Sequence, residues 1–290
     1  MANIELFKTY IDLLDEVYKS ASVTEVLDSD TALVQAGANA NEIVIPKISV
    51  QGLADYDRKN GYVSGDTDLT HETVKFNYDR GRKFTIDSMD NAETAGLAFG
   101  RLSSEFIRTK VAPEMDAYRF AMYAGTEGVS SATSALTSGN DVLLALLDTQ
   151  NTMDENEVSA ENRILFITPT LYNMAAAVDS YKSRAMLESF AQIVKVPQSR
   201  FYTAINLLDG KSAGEEAGGY NKADGASDIN FMVVQKSAPL QIAKHTVSKI
   251  FAPEENQTAD AWQFNYRAYG LADVYENKVA GIYLHSKPTA

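Results

Sequence analysis

One long helical pattern constrains the fold of this chain more than any other feature of its sequence. Residues 90–124 read DNAETAGLAFGRLSSEFIRTKVAPEMDAYRFAMYA, and their large apolar side chains recur mostly at steps of three and four, as on one face of a helix. Asp90 with Glu93 resembles a capping box, and Gly125 supplies a C-terminal stop. We predict one helix of roughly 50 Å, kinked at Pro113 and suited to a structural strut. The alternative is a pair of ordinary helices broken at that proline.

Two segments precede this helix. Residues 1–41 combine a short amphipathic helical pattern, from Ile4 to Tyr18, with a polar stretch that is typical of an arm. Residues 42–89 alternate between apolar and polar side chains and predict an extended hairpin. Its first strand contains Pro46, which indicates a sheet edge or a break, and Gly81 predicts a bulge or bend in the second. Because a lone hairpin is only marginally stable, this one should lean on a neighbouring subunit or on its own core.

The remainder of the chain predicts a mixed α/β lobe and then a β-rich segment, so the fold class is α+β. A small, polar junction at residues 125–139 leads to a helix at Asn140–Asn151 and to a strand–helix unit, RILFITPTLYNM. Residues 209–228 are rich in glycine and acids and predict a loop. Further strands are predicted at Phe190–Val196, Phe201–Ile205, Ile229–Val234, Gln241–His245, Ser248–Phe251, Trp262–Tyr269 and Gly281–His285.

Composition and motifs exclude several function classes. The 290 residues include no cysteine, which rules out disulfides, thiol catalysis and thiolate metal sites. The three histidines lie in separate segments, and the Gly-Lys-Ser triplet at Gly210 lacks the glycine that a P-loop needs five positions earlier. We therefore assign no catalytic, cofactor or metal residue and expect no enzyme. No stretch resembles a signal peptide or is apolar enough to cross a membrane.

Charge is unevenly distributed along the chain. The formal net charge is -13, which is unlike a general nucleic-acid-binding surface, although an acidic wall can enclose DNA without gripping it. Against this background the hairpin concentrates five cations: Arg58, Lys59, Arg80, Arg82 and Lys83. They are candidate inter-subunit contacts that would dock on an acidic neighbour. Reversal of Arg80 and Arg82 to glutamate should then block assembly without unfolding the subunit. The alternative is ordinary strand-edge charge, which blunts aggregation.

In this order, the segments resemble the tailed-phage major capsid proteins of the Hong Kong 97-type fold. The resemblance rests on GLADYDRKNGYVSGD and YDRGRKFTIDSMDNAET before the long helix, RILFITPTLYNM after it, and YRAYGLADVYENKVAGIYLH in the last part. It implies an N-arm at residues 1–41, an E-loop at 42–89, the spine helix of the P domain at 90–124, an A domain at 125–235 and a P-domain sheet at 236–290. In such proteins the E-loop lies over an adjacent subunit.

The resemblance also implies a function and partners. The chain would self-assemble as hexamers and pentamers of an icosahedral shell around double-stranded DNA, without sequence-specific contact and without a membrane. A separate scaffolding protein, a portal protein, assembly in the bacterial host cytoplasm and a final place in the virion are implied as well. Because the arm is short, we expect no processing. Lysine–asparagine cross-links, known in some members, have little support here beyond the residue types of Lys47, Lys59, Lys75 and Asn277.

Other readings remain open. An encapsulin-like nanocompartment shell would share the fold but enclose cargo enzymes, so bound DNA or cargo protein would separate the two. A soluble enzyme would be compact, with a pocket in the lobe at residues 125–235. A monomeric binding domain would use the hairpin to extend a partner's sheet.

Overall fold

The computed structural model describes residues 18, 21–29, 35–36, 41–59, 61–89, 97–178 and 181–289. Most of the predicted N-terminal helix and the predicted capping box at Asp90 lie outside them. The helices are α1 (Leu97–Phe106), α2 (Ala112–Gly125), α3 (Gly139–Glu155), α4 (Pro169–Ala176) and α5 (Tyr181–Glu188). The strands are β1 (Gln35–Ala36), β2 (Glu42–Val50), β3 (Thr67–Lys75), β4 (Tyr78–Asp87), β5 (Ser130–Thr133), β6 (Arg163–Ile167), β7 (Gln192–Lys195), β8 (Ile205–Leu208), β9 (Gly219–Lys222), β10 (Ile229–Gln235), β11 (Pro239–Phe251), β12 (Ala261–Val274) and β13 (Ile282–Ser286).

The long helix is continuous through its proline. A π turn, Ile107–Val111, joins α1 to α2, and Ala112 donates its N–H to the carbonyl of Ile107, five residues earlier. The flanking residues keep right-handed helical torsions, so the alternative of two separate helices is wrong. Pro113 lies directly after this turn. Since a proline ring clashes with the carbonyl four residues before it, a wider turn at that point lets the helix continue.

A five-stranded sheet packs between two layers of helices. Its strand order is β5-β13-β10-β6-β7, and all five residues of β6 are buried. Ile164 and Phe166 face the core that contains Phe120 of α2, whereas Leu165 and Ile167 face the core under α3 and α4. The uninterrupted apolar run of β6 is therefore that of a strand covered on both faces.

The last strand joins this sheet instead of the β-rich segment that precedes it in sequence. β13 pairs antiparallel with β10 and parallel with β5, so it lies inside the five-stranded sheet. Ile282–Ser286, in the segment predicted as residues 236–290, therefore pairs with strands of the segment predicted as residues 125–235. Two short segments also differ from prediction. The strand expected at Phe201–Ile205 begins only at Ile205, as β8. The segment expected to be a loop, residues 209–228, contains β9.

A second sheet carries the second half of the predicted hairpin. β4 pairs along its whole length with β12, which also pairs with β11. The register between β4 and β12 has no shift at Gly81, so the predicted bulge is wrong. A Cβ atom at Gly81 would lie 2.7 Å from the backbone oxygen of Tyr266. Glycine is present because the two backbones approach closely, and the chain does not bend there.

The hairpin itself consists of β2 and β3. Their antiparallel register is continuous from Glu42 opposite Lys75 to Val50 opposite Thr67. β1 covers the other edge of β2 only at Ile43 and Val44, so the edge beside Pro46 is open within the described residues, as that proline predicts. Among all the described residues, no helix combines the length and the apolarity that crossing a membrane requires.

Candidate inter-subunit contact surfaces

The base of the hairpin is anchored on its own chain. Ile43 and Val74 are buried in a small apolar cluster, together with Leu240, Ile242 and Leu271 of the β11–β12 pair. β2 and β3 are thus held at their common end, and the strand alternation places Ile43 and Val74 on the same face. The base of the hairpin needs no second subunit.

The distal half of the hairpin is exposed. Within the described residues nine large apolar side chains are exposed, and six of them lie between residues 50 and 69: Val50, Leu53, Tyr56, Tyr62, Val63 and Leu69. Leu53 and Tyr62 retain 107% and 90% of their accessible surface, so their own chain covers little of either side chain. Several exposed large apolar side chains in one segment are typical of an interaction surface.

The tip loop, residues 51–59 and 61–66, has local order of its own. Asp57 and Gly61 exchange backbone hydrogen bonds, with the Gly61 N–H donating to the Asp57 carbonyl at 2.7 Å. The Asp57 carboxylate accepts from the backbone N–H of Lys59 at 2.9 Å. Tyr56 and Tyr62 lie on either side of this turn with their ring centres 4.8 Å apart. The turn therefore presents two aromatic rings side by side.

The five predicted contact residues divide into two groups. Arg58 and Lys59 lie on the exposed tip loop. Arg80, Arg82 and Lys83 lie on β4, inside the β11-β12-β4 sheet and not on the hairpin. The structure thus brings together residues 80, 82 and 83 and separates them from the tip.

Arg80 is bonded within its own chain. Its Nε donates to Glu114 Oε1 at 2.8 Å, and its Nη2 donates to the carbonyl of Gly219 at 3.2 Å. The Tyr78 hydroxyl donates to the same Glu114 oxygen at 3.1 Å. Burial and the Glu114 carboxylate hold the pKa of Tyr78 well above its ordinary value, so the phenol remains a donor. Arg80 therefore joins β4, α2 and β9.

Arg82 and Lys83 differ from each other in their contacts. Arg82 donates from Nη2 to the carbonyl of Glu216 at 3.0 Å, in the loop between β8 and β9. Lys83 is exposed opposite Asn265 of β12. The loop predicted at residues 209–228 is thus tied to β4 by Arg80 and Arg82, a contact between distant segments that the charge pattern alone did not reveal.

Acidic side chains gather where the hairpin meets β12. Lys47 of β2 is bonded to Glu276 and lies 4.0 Å from Glu72 of β3. Burial, and then the nearby Glu276 carboxylate, raises the pKa of Glu72. Burial likewise raises the pKa of Asp273. Two carboxylates, those of Glu72 and Glu276, thus share Lys47, an arrangement that sequence spacing did not indicate.

A second feature missed by sequence reasoning anchors the N-terminal segment. Asp116 of α2 is fully buried and accepts hydrogen bonds from the hydroxyls of Ser22 and Thr24 at 2.8 and 2.7 Å. It also accepts from the backbone N–H groups of Val23 and Thr24, and from Arg200 at 3.0 Å. Leu27 follows in a 3-10 turn and is completely buried. Residues 22–27 are therefore part of the core, whereas the sequence indicated only an arm.

Comparison with known proteins shows which solved structures have a similar architecture. No protein-family model and no curated protein matches the chain. A virus-like particle from Pyrococcus furiosus matches with a TM-score of 0.62 at 11% identity, over 97% of this chain and 100% of that one. The capsid of the cyanophage P-SCSP1u matches with a TM-score of 0.57 at 12% identity, over 93% and 89% of the two chains. The capsid of the Myoviridae phage XM1 gives 0.56 at 10% identity, over 92% of each chain.

These matches cover 92–97% of this chain. This chain has the Hong Kong 97-type capsid fold. At identities of 10–12% the Hong Kong 97-type fold is preserved through the pattern of elements and not through individual side chains. The contacts of Arg80, Asp116 and the tip loop are therefore described from this chain alone.

Proposed function

We propose that this protein is a major capsid protein, which assembles into an icosahedral shell around the double-stranded DNA of a tailed phage. The observation that carries the proposal is the hairpin of a chain with the Hong Kong 97-type fold: its base is packed on its own sheet, but its tip exposes a cluster of apolar side chains. Such a surface is stable in water when a partner covers it. A shell of identical subunits supplies that partner at every position.

The proposal assigns a role to each part of the chain. Residues 1–41 are the N-arm, 42–89 the E-loop, 90–124 the spine helix and 236–281 the P-domain sheet. Residues 125–235 form the A domain, to which we add β13 because it pairs with β5 and β10. Hexamers and pentamers would form around the A domains, with the loop at residues 209–228 as a candidate for their centre.

Partners and compartment follow from the same proposal. The net charge of -13 suits a wall that surrounds DNA without binding its sequence. A separate scaffolding protein and a portal protein would complete the head, which would assemble in the bacterial cytoplasm and remain in the virion. The role is structural and requires no catalytic step.

An encapsulin-like shell is the second candidate. The supporting observation is the virus-like particle from Pyrococcus furiosus, all of whose chain is matched at a TM-score of 0.62. Such a shell would enclose protein cargo in place of DNA. Both candidates predict closed particles, so the contents decide between them.

The test is to measure the particle size of the purified chain, expressed alone and together with the genes next to its own. Light scattering and negative-stain microscopy should show closed particles tens of nanometres across. Absorbance at 260 and 280 nm, with and without nuclease treatment, then distinguishes packaged DNA from protein cargo. A monomer under both expression conditions would overturn the proposal of a shell and favour a soluble enzyme or binding domain.

A further inference from the structure

The loop between β8 and β9 is a compact unit held together by its own side chains. The Asp209 carboxylate accepts from the backbone N–H groups of Lys211 and Ser212 at 2.7 and 2.8 Å. The Glu215 carboxylate accepts from the N–H of Asp209 at 2.8 Å. The Gly218 N–H donates to the carbonyl of Glu215, also at 2.8 Å. The loop is therefore closed by its own hydrogen bonds, as compact surface loops commonly are.

Two glycines form the neck of this loop. Gly210 and Gly218 have φ angles of +71° and +65°, and a Cβ atom at either would lie 3.9 Å from the Cα of the other. A Cβ atom at Gly210 would also lie 2.7 Å from Arg82 Nη1, and one at Gly218 would lie 3.1 Å from that nitrogen. One end of the Arg82 guanidinium thus lies against both glycines, at a point where a side chain on Gly210 would displace it.

The other end of the guanidinium binds the backbone of the loop. Arg82 Nη2 donates to the carbonyl of Glu216 at 3.0 Å, and Arg82 forms no ion pair with any described residue. Arg80, two positions earlier and therefore on the same face of β4, donates to the carbonyl of Gly219 at 3.2 Å. The loop is thus held to β4 through its backbone and not through a pairing of opposite charges.

The rest of the structure does little to orient the loop. Within the described residues, β8 and β9 form a two-stranded sheet of their own, and such a pair is only marginally stable by itself. Ile205 and Leu207 of β8 pack against the main core. None of the residues 209–218, all of which the structure describes, belongs to an apolar cluster. The shape of the loop comes from its own bonds, but its direction needs a contact from outside.

We propose that Arg82 is the positioning residue of the β8–β9 loop. Its guanidinium lies in the neck and fixes the direction of the loop relative to β4. The consequence for assembly rests on the proposed shell function, in which this loop is a candidate for the centre of hexamers and pentamers. A loop with one direction offers the same contact in every copy of a symmetric ring, whereas a loop without it would have to be ordered at each contact.

A double-mutant cycle between Arg82 and Gly210 tests the contact itself. Gly210→Ala should expel the guanidinium, because the atom that the new Cβ meets is the end of a long, flexible side chain. Gly214→Ala is the matched control, since that glycine also has a positive φ, +88°, but nothing lies within 4 Å of its Cβ position. Each substitution is made in the parent and in Arg82→Ala. Amide hydrogen exchange of residues 205–222 is then measured by mass spectrometry in the full chain, with α3 as the reference for opening of the whole subunit.

Positioning by Arg82 predicts that Arg82→Ala speeds exchange in the loop roughly fivefold or more and leaves exchange in α3 unchanged. Gly210→Ala should speed loop exchange clearly more in the parent than in Arg82→Ala, whereas Gly214→Ala should have the same effect in both. Equal effects of Gly210→Ala in the two backgrounds would overturn the inference. Arg82→Lys keeps the charge but lacks the planar fork, so its loop should also exchange fast. Parent-like exchange in Arg82→Lys would count equally against the inference.

Particle formation separates this inference from the shell function. Arg82→Ala should lower the yield of closed particles several-fold relative to Lys249→Ala, which removes an exposed cation from β11 of the same sheet. Normal shells from a variant whose loop exchanges fast would overturn the role of loop direction in assembly and leave the shell function intact. Failure of the parent to form any particle would instead remove the shell function, while the exchange cycle would still decide whether Arg82 positions the loop.

Discussion

At the scale of single residues, Asp116 shows how one buried carboxylate can fix a segment that has few apolar side chains. It receives five hydrogen bonds, four from residues 22–24 and one from Arg200. A buried charge is tolerated only when it is paired and hydrogen-bonded, and these five bonds meet that condition. Asp116 thus holds the N-terminal segment against the long helix of the same chain.

Replacement of Asp116 by alanine should destabilise the subunit by about 3–5 kcal/mol, because Arg200 and two backbone N–H groups lose their acceptor in the core. The measurement is the denaturant midpoint, with proteolysis in the N-terminal segment as a local readout. Asp79→Ala is the matched control, since Asp79 pairs with Arg267 at the surface and should contribute about 1 kcal/mol or less. Equal losses in the two variants would contradict the anchoring role.

His285 is a second residue whose environment has a measurable consequence. Its ring lies 3.0 Å from the Asn230 amide nitrogen and 3.1 Å from the Ser134 hydroxyl, and it stacks on Phe231. Burial lowers the pKa of His285 below its ordinary 6.5. The folded protein therefore binds fewer protons at this ring than the unfolded chain does. This contribution to stability is present above pH 6.5 and is lost as pH falls through the lowered pKa.

Thermal melts between pH 7.5 and 5.5 should accordingly show a steeper loss of stability for the parent than for His285→Gln, which cannot titrate. His245→Gln, the same substitution at an exposed position of β11, is the matched control. An identical pH slope for the parent and His285→Gln would show that the ring does not titrate during unfolding.

At the scale of elements, β4 illustrates a strand whose sequence is limited by the approach of its neighbour. Gly81→Ala should destabilise the β11-β12-β4 sheet by about 1–3 kcal/mol, because the new Cβ meets the backbone oxygen of Tyr266. Gly65→Ala, in the tip loop with nothing within 4 Å, should be neutral or slightly stabilising. Unfolding midpoints of the two variants test this contrast. A neutral Gly81→Ala would mean that the strands can separate at that point without cost.

Periodicity predicted those elements whose burial repeats regularly. The spine helix, α3 and the doubly covered β6 follow from apolar patterns that match their periods. The predicted bulge at Gly81 was wrong, because glycine is equally typical of a bulge and of two backbones that approach closely. The sequence did not predict β5, because its four small residues, three of them polar, form a strand only through pairing with β13. Pairings between distant segments leave no local signal.

At the scale of the whole molecule, the five candidate contact cations form two groups, on the tip loop and on β4, whose substitution should have different effects on folding and assembly. The double variant Arg58→Glu, Lys59→Glu should fold like the parent, since both side chains are exposed, but should give fewer shells. Arg80→Glu should instead lower the unfolding midpoint, because it places a carboxylate beside the largely buried Glu114. Melting temperature and particle yield by microscopy measure both effects. Normal shells from the tip variant would exclude a role for its charge in assembly.

The candidate surfaces could be predicted only in outline. The sequence showed that the hairpin is long, basic and in need of support, and it located Arg58 and Lys59 on that hairpin. It did not show that Arg80 and Arg82 hold the β8–β9 loop, because that contact joins residues more than a hundred positions apart in sequence.

The position of β13 has a consequence for synthesis. The position between β5 and β10 in the five-stranded sheet is filled by β13, a strand that the ribosome makes only after β11 and β12. Domains usually fold as units while the chain emerges. Here the five-stranded sheet lacks β13, and β5 lacks its pairing strand, until β11 and β12 have been translated. In the proposed shell, a nascent chain therefore has no finished A domain for contact with other subunits, so the end of translation sets the earliest moment at which a subunit can associate.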